Sequence, residues 1–297
     1  MQPVWKVLAP IDLSIDPEGP VEHATNIAKA MGAELTLLYV VDQRWYKRMG
    51  RLRWPPNALN EAWTGCDIHR RVLPGNPAET ISRYADFINA DLLAMTSENY
   101  GRWSRSWKHS VTGDVMGCTR RPVCVTDLRS ADADYRFRCR RILCALSLDG
   151  TDDPLVLQAE ALAQRSGGDL ILMGVVPGID EGLLLETVPG FDRPLSPSLA
   201  VERIQALGKG ISVPYRTLVM IGSPYNCIRV AAREHYADVV MAARPSPGRT
   251  ESNCLYMRSV LRRLLCPLVS VTGSLASVRS ITREREAAPE FEHASSF

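Results

Sequence analysis

The strongest constraint on the fold of this chain is that its sequence repeats once. Four pairs of segments align: 6–9 with 141–144 and 34–37 with 169–172 at an offset of 135, 75–91 with 222–238 at 147, and 121–126 with 266–272 at 145, counted at the shared proline. The change of offset from 135 to 147 means that the second copy carries 12 extra residues before Gly222. A period of this length is too long for a solenoid and is typical of a duplicated domain. The chain is therefore predicted to contain two domains of the same fold.

Each copy alternates short apolar runs with helical patterns. Runs such as Val4–Pro10 and Leu170–Val176 are apolar almost throughout, which is typical of strands buried on both faces. The helical pattern that follows the first run has Pro20 near its start and Gly32 just beyond its end. Strands that alternate with helices favour a parallel sheet with right-handed crossovers. Each copy is predicted to be an α/β domain with five parallel strands and helices on both faces.

The pattern also predicts where the domains end. We place the first domain at 1–130, a polar linker at 131–138, the second domain at 139–273 and a charged, disordered tail at 274–297. The segment 177–197 is rich in glycine and proline and holds most of the extra residues of the second copy. We expect it to form a flap or an interface element.

Composition narrows the range of partners. The chain is 45% hydrophobic and 23% charged, as expected of a globular protein with a core, and its net charge of +2 is too small to indicate a nucleic-acid partner. We find no apolar stretch of the length that a signal peptide or a membrane span requires. The eight cysteines show no zinc-ligand spacing. We therefore expect no membrane and no metal site, and a location in the reducing cytoplasm.

The order of the motifs resembles a known family. In the first copy "KVLAPIDLS", "GNPAETISRYADFINADLLAMTS" and "RRPVCVTD" resemble a universal stress protein domain, and "RRILCALSLD", "GSPYNCIRVAAREHYADVVMAA" and "RLLCPLVSVT" are similar in the second. The chain thus resembles a tandem universal stress protein. This resemblance implies two Rossmann-like sheets, of the adenine nucleotide alpha hydrolase-like kind, each with strand order 3-2-1-4-5.

The resemblance also implies how the domains associate. Domains of this family pair through their last strands, which correspond here to Pro122–Thr126 and Pro267–Val271. We therefore expect an internal pseudo-dimer, with those two edge strands antiparallel and covering each other. A homodimer of the whole chain and an unknown protein partner are both compatible with this arrangement.

Many universal stress proteins bind ATP or a related nucleotide, and the resemblance implies a site in the first domain. Pro10, Asp12 and Val40 match the positions that lie near adenine. The phosphate motif G-x2-G-x9-G-[ST] falls on Thr96, Asn99, His109 and Ser110, so that only its final serine is retained. Basic side chains in the same segment, beginning at Arg102, would supply charged donors where the family uses glycine main chain. ATP, ADP and AMP are the expected ligands.

The second copy departs further from the motif. Pro245 and Pro247 remove two N–H donors from the segment after its fourth strand. At the end of its first strand, Ser147 or Asp149 stands where the acidic residue is expected. We therefore expect no nucleotide in the second domain.

Three functions are compatible with the sequence. The first is a stress-response binding protein that senses an adenine nucleotide, and the second is a nucleotide-hydrolysing enzyme, a weak ATPase at most. The third is a structural interaction protein without a ligand. We find no G-x-S-x-G, H-E-x-x-H or Walker A motif and assign no catalytic residue. Binding requires fewer positioned groups than hydrolysis, so the binding protein is the favoured interpretation.

Overall fold

The protein divides into two compact units, whose border lies between Phe137 and Arg138. The computed structural model describes residues 4–13, 17–41, 54, 66–96, 111–127, 137–176, 196–244 and 264–272. No helix in these ranges is both long enough and apolar enough to span a bilayer. The two units are described separately below.

The first unit is a five-stranded parallel sheet with helices between the strands. Its elements are β1 (Lys6–Pro10), α1 (Glu18–Met31), β2 (Glu34–Val41), β3 (Ile68–Pro74), α2 (Pro77–Phe87), β4 (Leu92–Thr96), α3 (Val111–Cys118) and β5 (Val123–Thr126). Within the unit the strand order is β3-β2-β1-β4-β5. Val7, Leu8 and Ala9 of the central strand β1 are completely buried, as expected of a strand whose two faces are both covered.

The second unit repeats this architecture. Its elements are β6 (Arg141–Leu146), α4 (Asp153–Ser166), β7 (Asp169–Val176), α5 (Pro197–Gly208), β8 (Tyr215–Ile221), α6 (Pro224–Glu234), β9 (Val239–Arg244) and β10 (Leu268–Thr272). Its strand order is β8-β7-β6-β9-β10, and all these strands are parallel. Counted from the first strand of each unit, both orders are 3-2-1-4-5. The predicted fold class is confirmed.

The strand register reproduces the offsets of the sequence repeat. Val7 of β1 pairs with Leu92 of β4, and Ile142 of β6 pairs with Val239 of β9. The first members of these pairs are 135 residues apart and the second members 147, as in the sequence alignment. Likewise Leu93 pairs with Val123 and Val240 pairs with Leu268, so that the fourth strands are offset by 147 and the last strands by 145. The insertion in the second copy has therefore left the pairing of its strands unchanged.

Local contacts explain why some residues recur in both copies. Gly32 and Gly167 end the first helix of each unit with a left-handed φ of 56° and 63°, a conformation that favours glycine. Asp91 accepts a hydrogen bond from the N–H of Lys6 at 2.8 Å, and Asp238 accepts one from the N–H of Arg141 at 2.9 Å. The repeated aspartate therefore holds the start of the central strand in each sheet.

Candidate functional site

The strand order of the first unit defines a crevice at the carboxyl edge of its sheet. From β1 the chain proceeds outward to β2 and β3, and then crosses back to β4 on the other side of β1. Open α/β sheets bind ligands outside the carboxyl ends of the strands at such a reversal of order. The two strands beside the reversal end at Pro10 and Thr96. The predicted site therefore lies where this topology favours a ligand.

Asp12 lies just beyond the end of β1. Pro10, the last residue of the strand, is half-buried and pairs with Leu38 of β2. The N–H of Ile11 donates to the Leu38 carbonyl at 2.8 Å, so the chain stays attached to β2 for one further residue. Asp12 follows and is exposed. The main chain thus presents this carboxylate to solvent at the edge of the crevice.

Val40 lies near the carboxyl end of the neighbouring strand, β2. It is the next-to-last residue of β2, it is half-buried, and it pairs with Leu73 of β3. Because β1 and β2 are parallel, Val40 and Pro10 lie at the same edge of the sheet. Both side chains are apolar and partly accessible, which suits contact with a flat apolar ring.

Thr96 connects the sheet with the first turn of α3. It ends β4, is half-buried and pairs with Thr126. Its carbonyl accepts a hydrogen bond from the hydroxyl of Thr112 at 3.4 Å. This bond brings the N-terminal turn of α3 to the carboxyl end of β4. Sequence reasoning missed Thr112; the signal for it is a hydroxyl residue two positions beyond the last serine of the motif.

The structure thus brings Pro10, Asp12, Val40 and Thr96 to one edge of the first sheet. The other predicted nucleotide-binding residues, Asn99, Arg102, His109 and Ser110, lie outside the described residues. Within the ranges that the structure covers, no group of three or more His, Cys, Asp or Glu side chains is placed to hold a metal ion.

Comparison with known proteins identifies the domain that contains this crevice. Residues 5–127 match the model of the Universal stress protein family. Residues 5–127 therefore form a universal stress protein domain. This domain includes all four of the predicted site residues that the structure describes. No curated protein is similar enough in sequence to count as a relative.

Solved structures share the fold of nearly the whole chain. A universal stress protein from Archaeoglobus fulgidus DSM 4304 is 17% identical, with a TM-score of 0.65 over 90% of this chain and 96% of that one. A functionally unknown protein, PA1789 from Pseudomonas aeruginosa PAO1, is 14% identical, with a TM-score of 0.60 over 95% of this chain and 97% of that one. At these identities the similarity is one of fold.

The loop after β6 of the second unit is closed by hydrogen bonds to a buried carboxylate. Asp152 is 1% exposed and accepts hydrogen bonds from the N–H groups of Ser147 at 2.8 Å and Leu148 at 2.6 Å, and from the Ser147 hydroxyl at 3.0 Å. Burial raises the pKa of Asp152, and these hydrogen bonds oppose the rise. Its equivalent in the first unit is Pro17, at the offset of 135, which has no carboxylate. Sequence reasoning had no reason to select it.

Asp149, one of the two predicted substitutes, is also engaged within the loop. It accepts hydrogen bonds from the N–H and hydroxyl of Thr151 at 2.9 and 2.6 Å, and it lies 2.7 Å from the Ser147 hydroxyl, whose single proton is shared between Asp149 and Asp152. Burial acts to raise the pKa of Asp149, but the hydrogen bonds from Thr151 and Ser147 outweigh it and hold this pKa below its usual range. The carboxylates of this loop therefore serve to fold the loop itself.

Leu148 occupies the space above the neighbouring strand. It is buried, and its φ of 60° is unusual for a residue other than glycine. Its main chain is held at both ends, because its N–H donates to Asp152 and its carbonyl accepts from the guanidinium of Arg203 on α5. A Cβ added at Gly174 of β7 would lie 2.6 Å from Leu148 Cδ1. Leu148 thus packs against the main chain of β7.

Proposed function

We propose that the first unit binds one adenine nucleotide, ATP, ADP or AMP, at the carboxyl edge between β1 and β4, and that the chain acts as a stress-response binding protein. One observation carries the proposal. Within the segment that matches the universal stress protein family, an exposed carboxylate at the end of β1 and the first turn of α3 at the end of β4 flank the reversal of strand order. Such a crevice offers separate places for a base and for phosphate.

Each described side chain has a chemical role in this proposal. The Asp12 carboxylate accepts hydrogen bonds from the N–H or hydroxyl donors of the nucleoside. Pro10 and Val40 supply apolar contact for the base at the two neighbouring strand ends. The start of α3, next to Thr96, favours an anion through the helix dipole. Ser110 precedes that helix in the sequence and is assigned to the phosphate.

We propose that the second unit is also a universal stress protein domain, one that has lost the nucleotide. Its strand order and register, which match those of the first unit at the repeat offsets, support the common origin. The loss is supported by the loop after β6, in which Asp149 and Asp152 accept hydrogen bonds from loop residues and Leu148 covers β7. A nucleotide here would have to displace those bonds.

Calorimetric titration of ATP, ADP and AMP into the full chain tests the proposal. We expect at least one of them to bind with a stoichiometry of one per chain. Asp12→Asn, which removes the charge but keeps the size, should weaken binding at least tenfold, and Ser110→Ala should weaken it as well. Asp149→Asn in the second unit is the matched control and should leave binding unchanged. No binding of any nucleotide, or binding that is insensitive to Asp12→Asn, contradicts the proposal.

Hydrolysis at the same site is the alternative function. It requires a base that activates water and usually a metal ion, for which Asp12 is the one candidate ligand in the sequence motif. Incubation of ATP with the full chain and Mg²⁺ would yield ADP if the chain is an enzyme. Loss of that ADP in Asp12→Asn would assign the reaction to this site.

A further inference from the structure

The outermost strand of the second sheet differs in character from the other strands. β8 is the terminal strand of its unit, with β7 on its inner side. Among the residues that the structure describes, no strand pairs with its outer side. A row of main-chain N–H and C=O groups on such an edge is able to pair with another chain.

This strand is apolar and accessible. Its sequence is YRTLVMI, and none of its seven residues is buried. Ile221 is 64% exposed and Tyr215 39%, while Leu218, Val219 and Met220 are half-buried. Arg216 is the single charged residue of the strand, and the strand contains no proline. Natural edge strands avoid pairing by means of charge, proline or bulges, and β8 uses these devices little.

The first unit provides an internal comparison. β3 holds the same place in its sheet, since Ile68 pairs with Leu35 as Tyr215 pairs with Leu170. Its sequence is IHRRVLP, with two adjacent arginines, a histidine and a final proline. The corresponding edge strands of the two units therefore differ in character. β3 of the first unit is charged and resists pairing, whereas β8 of the second unit is apolar.

We propose that β8 is an interface between two copies of this chain, and that β8 pairs antiparallel with β8 of the second copy about a two-fold axis at Leu218. A two-fold interface uses the same surface on both subunits, so the strand must be complementary to itself. In this register Tyr215 of each copy lies opposite Ile221 of the other. These are the two most exposed apolar residues of the strand, and an aromatic residue opposite a β-branched one stabilises a sheet.

The charges of the strand are compatible with this register. Arg216 lies opposite Met220 of the second copy, and the two Arg216 residues are four positions apart along the strands, about 14 Å at a rise of about 3.4 Å per residue. That distance exceeds the Debye length of about 8 Å in physiological salt. The same register applied to β3 would place Arg71 opposite Arg71, and like charges directly opposite each other destabilise a sheet. Because the side chains of β8 are spaced so that the strand is complementary to itself, we assign a second copy of this chain as its partner.

Light scattering and sedimentation of the full chain over a range of concentrations test the interface. We expect a dimer that dissociates on dilution. Leu218→Arg places two arginines at the axis, as Arg71 would in β3, and should give a monomer. Leu157→Arg is the matched control, because Leu157 is 51% exposed on helix α4 and outside the strand. A monomer at all concentrations, or a dimer that survives Leu218→Arg, overturns the proposal.

A cross-link tests the register itself. In Leu218→Cys the two new cysteines face each other across the axis, where directly opposed Cα atoms of antiparallel strands lie about 4.5–5.5 Å apart, within disulfide range. Mild oxidation should give a covalent dimer, whereas the wild-type chain, with its eight cysteines, and Leu157→Cys should not. A dimer that Leu218→Cys does not cross-link lies on another surface and overturns the proposal. No nucleotide is added, so the result is independent of the proposed ligand.

Discussion

Arg121 Nε donates to Asp86 Oδ1 at 2.7 Å and connects the end of α2 to the segment that enters β5. The arginine side chain is only 8% exposed, and its other nitrogens donate to Asn89 Oδ1 at 3.3 Å and to the Ala90 carbonyl at 3.4 Å. In the second unit the position of Arg121 is taken by Cys266, at the offset of 145. This contact therefore belongs to the first unit alone.

Removal of this arginine should destabilise the first unit. Arg121→Ala leaves the Ala90 carbonyl and Asn89 without their donor, although the half-exposed Asp86 regains water. We expect the free energy of unfolding to fall by about 2 kcal/mol, as measured by urea denaturation. Arg83→Ala is the control, since Arg83 and Glu79 form an exposed pair at 3.9 Å, and it should change stability by less than about 0.5 kcal/mol. Equal effects of the two variants would contradict the role given to Arg121.

The burial of His23 should make stability depend on pH. His23 lies inside the first unit with its ring edge-on to Phe137, and burial lowers its pKa from 6.5 to about 4. Between these values the unfolded chain binds the proton and the folded chain does not. Stability should therefore fall as pH falls from 6.5 to 4, by about 3 kcal/mol in total, and His23 should contribute no further change below that range.

Urea denaturation at a series of pH values measures this dependence. His23→Phe, which keeps an aromatic ring against Phe137, should remove most of the slope. His69→Gln replaces an exposed histidine, near Asp67 at 3.8 Å, and should leave the slope in place. A slope that persists in His23→Phe would assign the effect to another group.

Gly174 should not tolerate a methyl group. A Cβ there would lie 2.6 Å from Leu148 Cδ1 and 3.2 Å from Ile204 Cδ1, and the main chain of Leu148 is held at both ends. We expect Gly174→Ala to destabilise the second unit by about 1–3 kcal/mol, as measured by thermal unfolding. Gly117→Ala is the control, because nothing lies within 4 Å of the added atom on helix α3. A neutral Gly174→Ala would mean that Leu148 moves aside easily.

The buried carboxylate of Asp152 should be essential to the loop after β6. Asp152→Asn replaces one acceptor oxygen by an NH₂ group, so that either the Ser147 N–H or the Leu148 N–H loses its acceptor and faces a second donor. We expect a loss of about 2–4 kcal/mol in the free energy of unfolding. Thr151→Ala removes one exposed hydroxyl bond to Asp149 and should cost less than about 1 kcal/mol. A mild effect of Asp152→Asn would show that the loop folds without this carboxylate.

If a nucleotide binds to the first unit, its affinity should fall with added salt. In the proposed site, side chains such as Arg102 and His109 would hold the phosphate where the family motif has glycine main chain. Exposed charge pairs are screened by salt, whereas main-chain N–H donors depend on it less. Titration of ATP at several salt concentrations measures the slope, and Arg102→Ala should reduce it. Affinity that is independent of salt would contradict side-chain recognition of phosphate.

The spacing of apolar residues in the sequence predicted the first strand and the first helix with errors of two residues at their starts. The run predicted over Val4–Pro10 forms a strand over Lys6–Pro10, and the helix read from Pro20 begins two residues earlier, at Glu18. Proline is tolerated in the first turn of a helix, so Pro20 marks that turn and does not mark its first residue. The predicted pairing of the last strands, 122–126 with 267–271, stays a prediction.

The sequence by itself determined the repeated order of strands and helices, the parallel strands and the edge at which Asp12 and Thr96 lie, because buried runs, caps and the repeat offset are recorded locally in the chain. Only the tertiary structure decided that Asp152 folds its own loop, that Thr112 reaches the Thr96 carbonyl and that β8 is an apolar edge. Those features depend on contacts between residues that the fold brings together. Neither composition nor spacing states which donor a carboxylate will find, or which strand will lie at the outer edge of the described sheet.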